Sequence, residues 1–180
     1  MKLMIASDIH GSYKYASALV ERFKCSDCEK LILLGDILYH GPRNDLPEEY
    51  LPKKVIELLN PLKDKILSVR GNCDTEVDQM VLEFPTLADY AVIYDGQRSL
   101  FATHGHKYGP DSLPPLSEGD ILIYGHTHVM KSEQRKGVTC INPGSVSIPK
   151  ENTPHSYAVY EDGVFTFYSL DDGMISEYRV

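Results

Sequence analysis

His126 and His128 stand one residue apart, directly after the apolar run ILIY in the stretch ILIYGHTHV. Because side chains of an extended chain alternate with a period of two, both imidazoles can point to the same side. Imidazole is the commonest metal-binding side chain, and two on one side can reach one ion or two neighbouring ions. The alternative is a solvated turn that carries two histidines by chance, and this stretch alone leaves both interpretations open.

Residues of the same chemical type follow four other apolar runs. The motifs are SDIHG, LLGDI, VRGNCD and FATHGH, and their candidate ligands are Asp8, His10, Asp36, Asn72 and His104. A glycine lies in or beside each motif, and glycine permits the tight backbone that lets a loop approach an ion. Scattered solvated Asp and His residues would show no preference for strand ends. The repeated placement therefore predicts a metal site assembled from several loops.

The segments between these motifs predict the elements that position them. Residues 2–7, 31–34 and 65–70 are apolar runs that indicate buried strands. Helical periodicity predicts one helix after Ser12, a good N-cap residue, and a second helix that begins near Pro52. This β-α-β-α-β order predicts parallel strands with crossover helices.

The second half of the chain is rich in short strands. Six apolar segments separated by turn residues predict them: DYAVIYDG, RSLFATHG, GDILIYGH, GVTCINPG, SYAVYEDG and VFTFYSLDDG. Gly96 and the pair Asp162-Gly163 are hairpin signals. No linker or repeat separates the halves, so we expect one domain over residues 1–180. Its expected class is α/β with mixed α+β character, in which two sheets pack face to face with helices outside.

Composition narrows the functional classes. A chain of 180 residues with 42% hydrophobic content suits one globular domain with a sizeable core. The net charge of -8 and the lack of a basic block argue against a general nucleic-acid-binding surface. No stretch is long and apolar enough for a membrane span, and the first residues lack a signal region, so we expect a cytoplasmic protein. To bind an anion, an acidic protein needs local positive charge, which metal ions can supply.

The cysteines do not form a zinc framework. Cys25 and Cys28 make one CxxC motif, but Cys73 and Cys140 do not make the second pair that a structural zinc site would need. The CxxC pair is interpreted as two ordinary reduced thiols near a helix end, with a redox role as the alternative.

The motif order resembles a known family. DxH, GD, GN, HGH and GHTH, in that order, are similar to the motifs of the calcineurin-like metallophosphoesterases, and the resemblance extends from Asp8 to the PGS motif that ends at Ser145. The short chain, with GNCD in place of the commoner GNH, resembles the small bacterial YfcE-type phosphodiesterases. The resemblance implies a four-layer αββα fold, a two-sheet β-sandwich flanked by helices.

The resemblance also implies a ligand set for two metals. One ion would be held by Asp8, His10 and His128, the other by Asn72, His104 and His126, and Asp36 would bridge the two. The oxygen and imidazole ligands suit Mn²⁺, Fe, Ni²⁺ or Zn²⁺ and disfavour Ca²⁺, and the resemblance favours manganese.

Such a centre can hydrolyse a phosphate ester. Two divalent ions about 3.5–4 Å apart lower the pKa of a shared water, so that hydroxide exists near neutral pH. Four positive charges, less those neutralised by Asp8, Asp36 and the hydroxide, leave roughly +1, which attracts an anionic ester. A metal-dependent phosphodiesterase acting on a small phosphodiester through hydroxide activated by two metals is therefore the expected function.

The candidate catalytic residues are Asn72, His104, Cys73 and His106. The Asn72 amide could donate to the phosphoryl group. Cys73 stands where most members of the resembling family carry a histidine that is thought to protonate the leaving oxygen, and a thiol is a poorer proton donor. Cys73 could instead be an inert buried thiol. His106 could replace the missing acid, or it could orient its loop.

The long polar loop, residues 39–51, is predicted to border the substrate, since loops of this length tend to be functional. Arg43 could contact a phosphate oxygen, with a solvent-facing arginine as the alternative. Further residues are predicted to line the pocket or support it: Tyr39, His40 and Tyr108 as pocket walls, and Asp74 as a partner of His10 or His106. His155 is expected to be structural.

Two other functions stay open. A phosphomonoesterase usually recruits more basic residues than Arg43 and Lys107, the two that lie near the motifs. A protein-binding scaffold, like the retromer scaffold subunit that resembles this family, could lose ligands without penalty, yet every ligand position here is filled. Self-association into a homo-oligomer is left open.

Overall fold

The strands form two sheets. A computed structural model describes all 180 residues of the chain. The first sheet has the order β11-β10-β9-β1-β2-β3 and the second the order β4-β5-β6-β8-β7. The strands are β1 (Lys2–Ala6), β2 (Lys30–Leu33), β3 (Ile66–Ser68), β4 (Tyr90–Tyr94), β5 (Ser99–Thr103), β6 (Ile121–Ile123), β7 (Met130–Arg135), β8 (Val138–Pro143), β9 (Ser156–Glu161), β10 (Val164–Ser169) and β11 (Gly173–Arg179).

The helices follow the predicted order. They are α1 (Tyr13–Lys24), α2 (Pro52–Leu59) and α3 (Glu76–Val81), with a short 3₁₀ helix at Asn60–Lys65. Strands β1, β2 and β3 pair in parallel, which confirms the crossover prediction. Ser12 stands at the N-cap position of α1, but its hydroxyl donates to the Glu48 carbonyl at 2.6 Å instead of capping the helix. This bond ties the 39–51 loop to the start of α1.

Three elements were not predicted from the sequence. Strands β7 and β11 are the edge strands of their sheets, and most of their side chains are exposed, so neither shows the apolar run of a buried strand. Helix α3 is only six residues long. Its start nevertheless carries a signal, because Thr75 and Asp78 form a capping box.

Three apolar clusters follow from the period of two in the strands. One lies between the two sheets and includes Ile5 and Ile123. Another lies between the first sheet and the helices and includes Met4 and Leu19. The third covers the outer face of the second sheet, where loop residues such as Tyr108 pack. The two-sheet sandwich is confirmed. Helices pack against the first sheet, whereas loop residues take the place of the fourth, helical layer on the outer face of the second sheet.

The topology brings the polar motifs together. The motifs follow the carboxyl ends of the parallel strands β1, β2 and β3 in one sheet and of β5 and β6 in the other. The backbone N–H of His126 donates to Asp8 Oδ2 at 3.1 Å, which links the two sets of loops. No helix is long and apolar enough to cross a membrane.

Candidate active site

Five of the candidate residues have left-handed backbone. Asp8, His10, Asp36, His126 and His128 have φ between 48° and 67°. For a non-glycine residue this conformation costs on the order of 1–2 kcal/mol, so it persists only where neighbouring structure stabilises it. These loops are therefore held by tertiary contacts rather than by local preference.

The first group of side chains is Asp8, His10 and His128, all buried. His128 Nε2 lies 3.3 Å from Asp8 Oδ1 and 3.3 Å from His10 Nε2. His10 Nε2 lies 3.6 Å from the same Asp8 oxygen. Three potential ligand atoms therefore surround one point.

The second group is Asn72, His104 and His126. His104 Nε2 lies 3.0 Å from Asn72 Oδ1 and 3.2 Å from His126 Nδ1. Asp36 stands between the groups, since its Oδ2 lies 3.7 Å from His10 Nε2 and 3.5 Å from His104 Nε2. The structure thus brings all seven predicted ligand side chains together, with one carboxylate oxygen facing both groups. Their role as metal ligands stays a prediction.

Backbone carbonyls fix the tautomers of three histidines. The Nδ1 atoms of His10, His104 and His128 lie 2.6–2.7 Å from the carbonyl oxygens of Tyr39, Leu34 and Ile148, respectively. A carbonyl oxygen can only accept, so each Nδ1 carries the proton and each Nε2 presents a lone pair to the centre. His126 is the exception, because its Nδ1 faces the centre.

As neutral imidazoles, these three side chains would leave the centre with unpaired acceptors. The Nε2 lone pairs of His10 and His128 oppose each other, and the His104 lone pair faces Asn72 Oδ1. Asp8 Oδ1 is buried and has no hydrogen-bond partner. Buried acceptors without donors are costly, and a divalent cation would satisfy all of them at once. The buried His and Asp side chains therefore fit divalent metal sites.

In the metal-free chain, protons on the imidazoles satisfy some of these acceptors. Burial alone raises the pKa of Asp8, but the imidazoles of His10 and His128, which can donate to Asp8 through Nε2 only when they are protonated, outweigh burial and hold the pKa well below its usual value. Burial lowers the pKa of His104, but the carboxylates of Asp36 and Asp8 outweigh it and raise the pKa to about 9. A bound cation would displace this proton, because the Nε2 atom of His104 must be deprotonated to act as a metal ligand.

Asp74 braces the loops from behind. We expected it to pair with His10 or His106, and this prediction is wrong. Its carboxylate instead accepts backbone N–H bonds from Asp36 at 2.8 Å, Ile37 at 2.9 Å and Gly71 at 2.7 Å. One buried side chain thereby joins the loop after β2 to the loop after β3.

The PGS motif braces the first loop in a similar way. Ser145 Oγ and Ser147 Oγ both donate to the Asp8 carbonyl, at 2.9 and 3.1 Å. Asn142 Nδ2 donates to the Gly125 carbonyl at 2.9 Å, next to His126. In the sequence, PGS marked only the end of the resemblance, and the available signal was its polar residues at the end of the buried strand β8.

A cavity of about 420 Å³, here named the polar cavity, opens above the two groups of side chains. Asp36, Asn72, Cys73, His126 and His128 belong to its wall, and so do the cations Arg43 and Lys150. Arg43 therefore borders this cavity, and its contact with a phosphate oxygen stays a prediction. Lys150 was missed, because nothing but its charge marks it in the sequence.

Other predicted wall residues lie elsewhere. Tyr108 packs on the outer face of the second sheet, with its ring 5.7 Å from the ring of Phe101, so the prediction that it lines the pocket is wrong. Lys107 pairs with Asp89 at 2.7 Å and does not line the polar cavity. Tyr39 lines a neighbouring cavity, and His40 packs edge-on between Tyr39 and Tyr50.

Comparison with known proteins identifies the family. The domain described as "Calcineurin-like phosphoesterase superfamily domain" matches residues 1–162. The chain belongs to this superfamily. Among its relatives, "Phosphodiesterase YfcE" of Escherichia coli is 50% identical over 175 residues, which cover 97% of this chain and 95% of the relative. The predicted family is therefore confirmed.

Solved structures agree with this placement. The structure of YfcE, described as a phosphoesterase from E. coli, superposes with a TM-score of 0.97 at 48% identity over 99% of both chains. Vps29 of Entamoeba histolytica, solved with zinc, has a TM-score of 0.60 at 20% identity, with 100% of this chain and 98% of that chain covered, and shows the common fold.

Within this calcineurin-like site, Cys73 is the unusual residue. Burial, and then the negative charge of Asp36, raise the pKa of its thiol to about 12. Its Sγ accepts from Asn72 Nδ2 at 3.2 Å, so the Asn72 oxygen is turned towards His104. The thiol therefore stays protonated near neutral pH and is a very weak acid.

His106 lies beside the centre but outside the polar cavity. Its ring is 5.3 Å from the ring of His104, and it does not belong to the cavity wall. Burial and the charge of His104 lower the pKa of His106. The choice between a general acid and a residue that orients the loop stays open for His106.

Two further expectations concern residues away from the site. His155 stacks on Tyr15 at 3.8 Å between ring centroids and bonds the Val146 carbonyl through Nδ1, which supports a structural role. Cys25 and Cys28 are both free thiols in the structure.

Proposed function

We propose that this protein is a metal-dependent phosphodiesterase that works with two divalent ions, preferably Mn²⁺, with Fe, Ni²⁺ and Zn²⁺ as alternatives. In this proposal, residues 1–180 act as a single catalytic domain in the cytoplasm, on a small phosphodiester. One ion is assigned to Asp8, His10 and His128, the other to Asn72, His104 and His126, and Asp36 is assigned to both.

The observation that carries the proposal is the opposed lone pairs at the floor of the polar cavity. His10 and His128 present lone pairs to each other at 3.3 Å, and Asp8 Oδ1 has no donor. The potential ligand atoms of Asp8, His10 and His128 all lie within 4.8 Å of one another, and so do those of Asp8, Asp36 and His104. The similarity to E. coli phosphodiesterase YfcE, at 50% identity, gives independent support.

The residues divide the work by charge and position. Bound divalent ions supply Lewis acidity to the phosphoryl group and lower the pKa of water. Arg43 and Lys150 in the cavity wall attract the anionic ester and orient its oxygens. The backbone carbonyls of Tyr39, Leu34 and Ile148 hold three imidazoles in the tautomer that leaves Nε2 free.

Neither of the two predicted general acids is placed as a proton donor for the leaving oxygen. Cys73 has a thiol pKa of about 12, and His106 lies outside the cavity. A leaving group that departs as a stable anion needs no such donor. Esters with acidic leaving groups, such as p-nitrophenol, are therefore expected to be the best substrates.

The experiment compares bis(p-nitrophenyl) phosphate with p-nitrophenyl phosphate, using protein stripped with EDTA and then reloaded with Mn²⁺. We expect two metal ions per chain by elemental analysis, turnover only in the reloaded protein, and a kcat/KM at least about tenfold higher for the diester. Lack of turnover with Mn²⁺, Fe²⁺, Ni²⁺ and Zn²⁺ would contradict the proposal and leave a binding scaffold.

A phosphomonoesterase is the second candidate because of Lys150. A monoester carries more negative charge than a diester, and Lys150 gives the polar cavity a second cation beside Arg43. A higher kcat/KM for p-nitrophenyl phosphate in the same comparison would select this function.

A further inference from the structure

A second cavity, here named the apolar cavity, adjoins the polar cavity. Its volume is about 390 Å³, within the usual range of small-molecule pockets, roughly 300–1,000 Å³. The segment after β2, helix α2 and helix α3 supply its carbon-rich wall, which includes Leu38, Tyr39, Tyr50, Ile56, Val77 and Val81. The polar cavity, by contrast, is lined almost entirely by charged and polar side chains.

The two cavities meet at Cys73. This residue belongs to the walls of both, and its Sγ lies within 4.8 Å of the ligand atoms of His10 and Asp36. Tyr39 makes a second link, because its ring lines the apolar cavity while its carbonyl holds His10 Nδ1 at 2.7 Å. A group esterified to a phosphate at the proposed metal centre therefore has an apolar cavity directly beside it.

Although the exposed Lys53 is part of it, the wall of the apolar cavity favours a flat, apolar group. Its one carboxylate, Asp78, already accepts bonds from the backbone N–H and the hydroxyl of Thr75, at 2.6 and 3.1 Å. Two aromatic rings, Tyr39 and Tyr50, offer surfaces against which another ring can pack. Val77 is 66% exposed, so a ligand would remove apolar surface from water.

We propose that the apolar cavity binds an aromatic ester group of the substrate, while the phosphate of the same molecule lies in the polar cavity. The substrate class is thus a phosphodiester with at least one aromatic substituent. This inference rests on the proposed phosphodiesterase function, and it assigns a substrate-binding role to α3, a helix that supplies no candidate metal ligand.

The kinetic test uses Val77→Asn in the Mn²⁺-loaded protein with bis(p-nitrophenyl) phosphate. Asparagine removes apolar surface without adding a charge that would repel the anionic substrate. We expect KM to rise about fivefold with kcat within about twofold, and the inhibition constant of inorganic phosphate to stay unchanged. Phosphate serves as the reference because it fills only the polar cavity.

The matched control is Met80→Asn on the same helix. Met80 is 83% exposed and does not line the apolar cavity. The KM of Met80→Asn for bis(p-nitrophenyl) phosphate should equal that of the wild type. Equal effects of the two substitutions, or a parallel change in phosphate inhibition, would overturn the proposal.

A binding test separates this proposal from the proposed function. The Zn²⁺-loaded protein is titrated with diphenyl phosphate and, separately, with dimethyl phosphate, while the methyl NMR signals of Ile56, Val77 and Val81 are followed. Shifts with the diphenyl ester alone support the apolar cavity even if no metal gives turnover. Turnover without such shifts would contradict the proposed aromatic site but not the proposed phosphodiesterase function.

Discussion

Left-handed backbone has different causes at the hairpin turns and in the candidate site. At the hairpin turns, Lys136 and Asp162 have φ of 50° and 47° and each is followed by a glycine. These exposed residues reverse the chain between antiparallel strands, as two-residue hairpin turns require. In the candidate site the left-handed residues are largely buried and reverse no hairpin.

The site loops depend on partners that are remote in the chain. The backbone N–H of His10 donates to the Asp36 carbonyl at 2.9 Å, and the N–H of Asp36 donates to the Asp74 carboxylate at 2.8 Å. A hairpin turn needs only its own residues, whereas each site loop is stabilised by another one. The conformation of each hairpin turn is therefore determined by its own residues, whereas the site loops depend on one another. Three predictions test this difference, in order of decreasing effect.

The largest contrast is expected between Asp36→Asn and Asp162→Asn. Both residues are left-handed aspartates, and asparagine tolerates this conformation, so each substitution chiefly removes a charge. Asp36→Asn should lower kcat/KM by at least about a thousandfold, because the carboxylate assigned to both metals is lost. Asp162→Asn should leave steady-state kinetics with bis(p-nitrophenyl) phosphate unchanged. Wild-type rates in Asp36→Asn would contradict the bridging role.

A smaller contrast concerns two glycines. A Cβ on Gly71 would collide with the Asp36 side chain and its backbone nitrogen, whereas a Cβ on Gly119 (φ 90°) would meet nothing. Gly71→Ala should cost about 4 kcal/mol of unfolding free energy and also weaken metal binding. Gly119→Ala should cost about 1 kcal/mol, from backbone strain alone, and leave metal binding intact. Urea unfolding and metal titration measure both. Equal losses would show that the site loops are no more tightly coupled than a turn.

The smallest effect concerns pH in the metal-free protein. The His104 pKa is about 9 when folded and 6.5 by the reference value, so protonation stabilises the folded state. This contribution is complete below pH 6.5 and is lost as the pH rises to about 9. Its full size is about 3 kcal/mol. The measurement is the free energy of unfolding in urea, with EDTA, at pH 6 and at pH 9. His104→Gln serves as the reference, because the pKa of His10 is raised as well and also contributes to the pH dependence. An identical pH dependence in the two proteins would exclude His104 as the cause.

Much of the fold was predictable from local patterns. Buried strands such as β1 and β2 show continuous apolar runs, because both of their faces are buried. Helix α1 shows apolar residues at the helical period, because one of its faces is buried. Edge strand β7, with the sequence MKSEQR, leaves no such trace, since its pairing depends on backbone hydrogen bonds with β8 and not on apolar side chains.

The candidate site was predictable in its residue types but not in all of its roles. Asp74 and Lys150 show the limit. A buried aspartate that accepts three backbone N–H bonds and a lysine in a cavity wall look like ordinary charged residues in the sequence. Tyr108 shows the reverse error, because its position next to a motif did not reveal that its side chain packs on the far face of a sheet.

The sequence by itself determined the chemistry that is available: seven oxygen and imidazole side chains placed at strand ends, and a thiol where the resembling family carries a histidine. Only the tertiary structure decided which atoms face one another, which carbonyls set the tautomers, and that an apolar cavity meets the polar one at Cys73. The reason is physical. Side-chain type and spacing are local properties of the chain, whereas opposed lone pairs and shared cavity walls arise only when distant loops pack together.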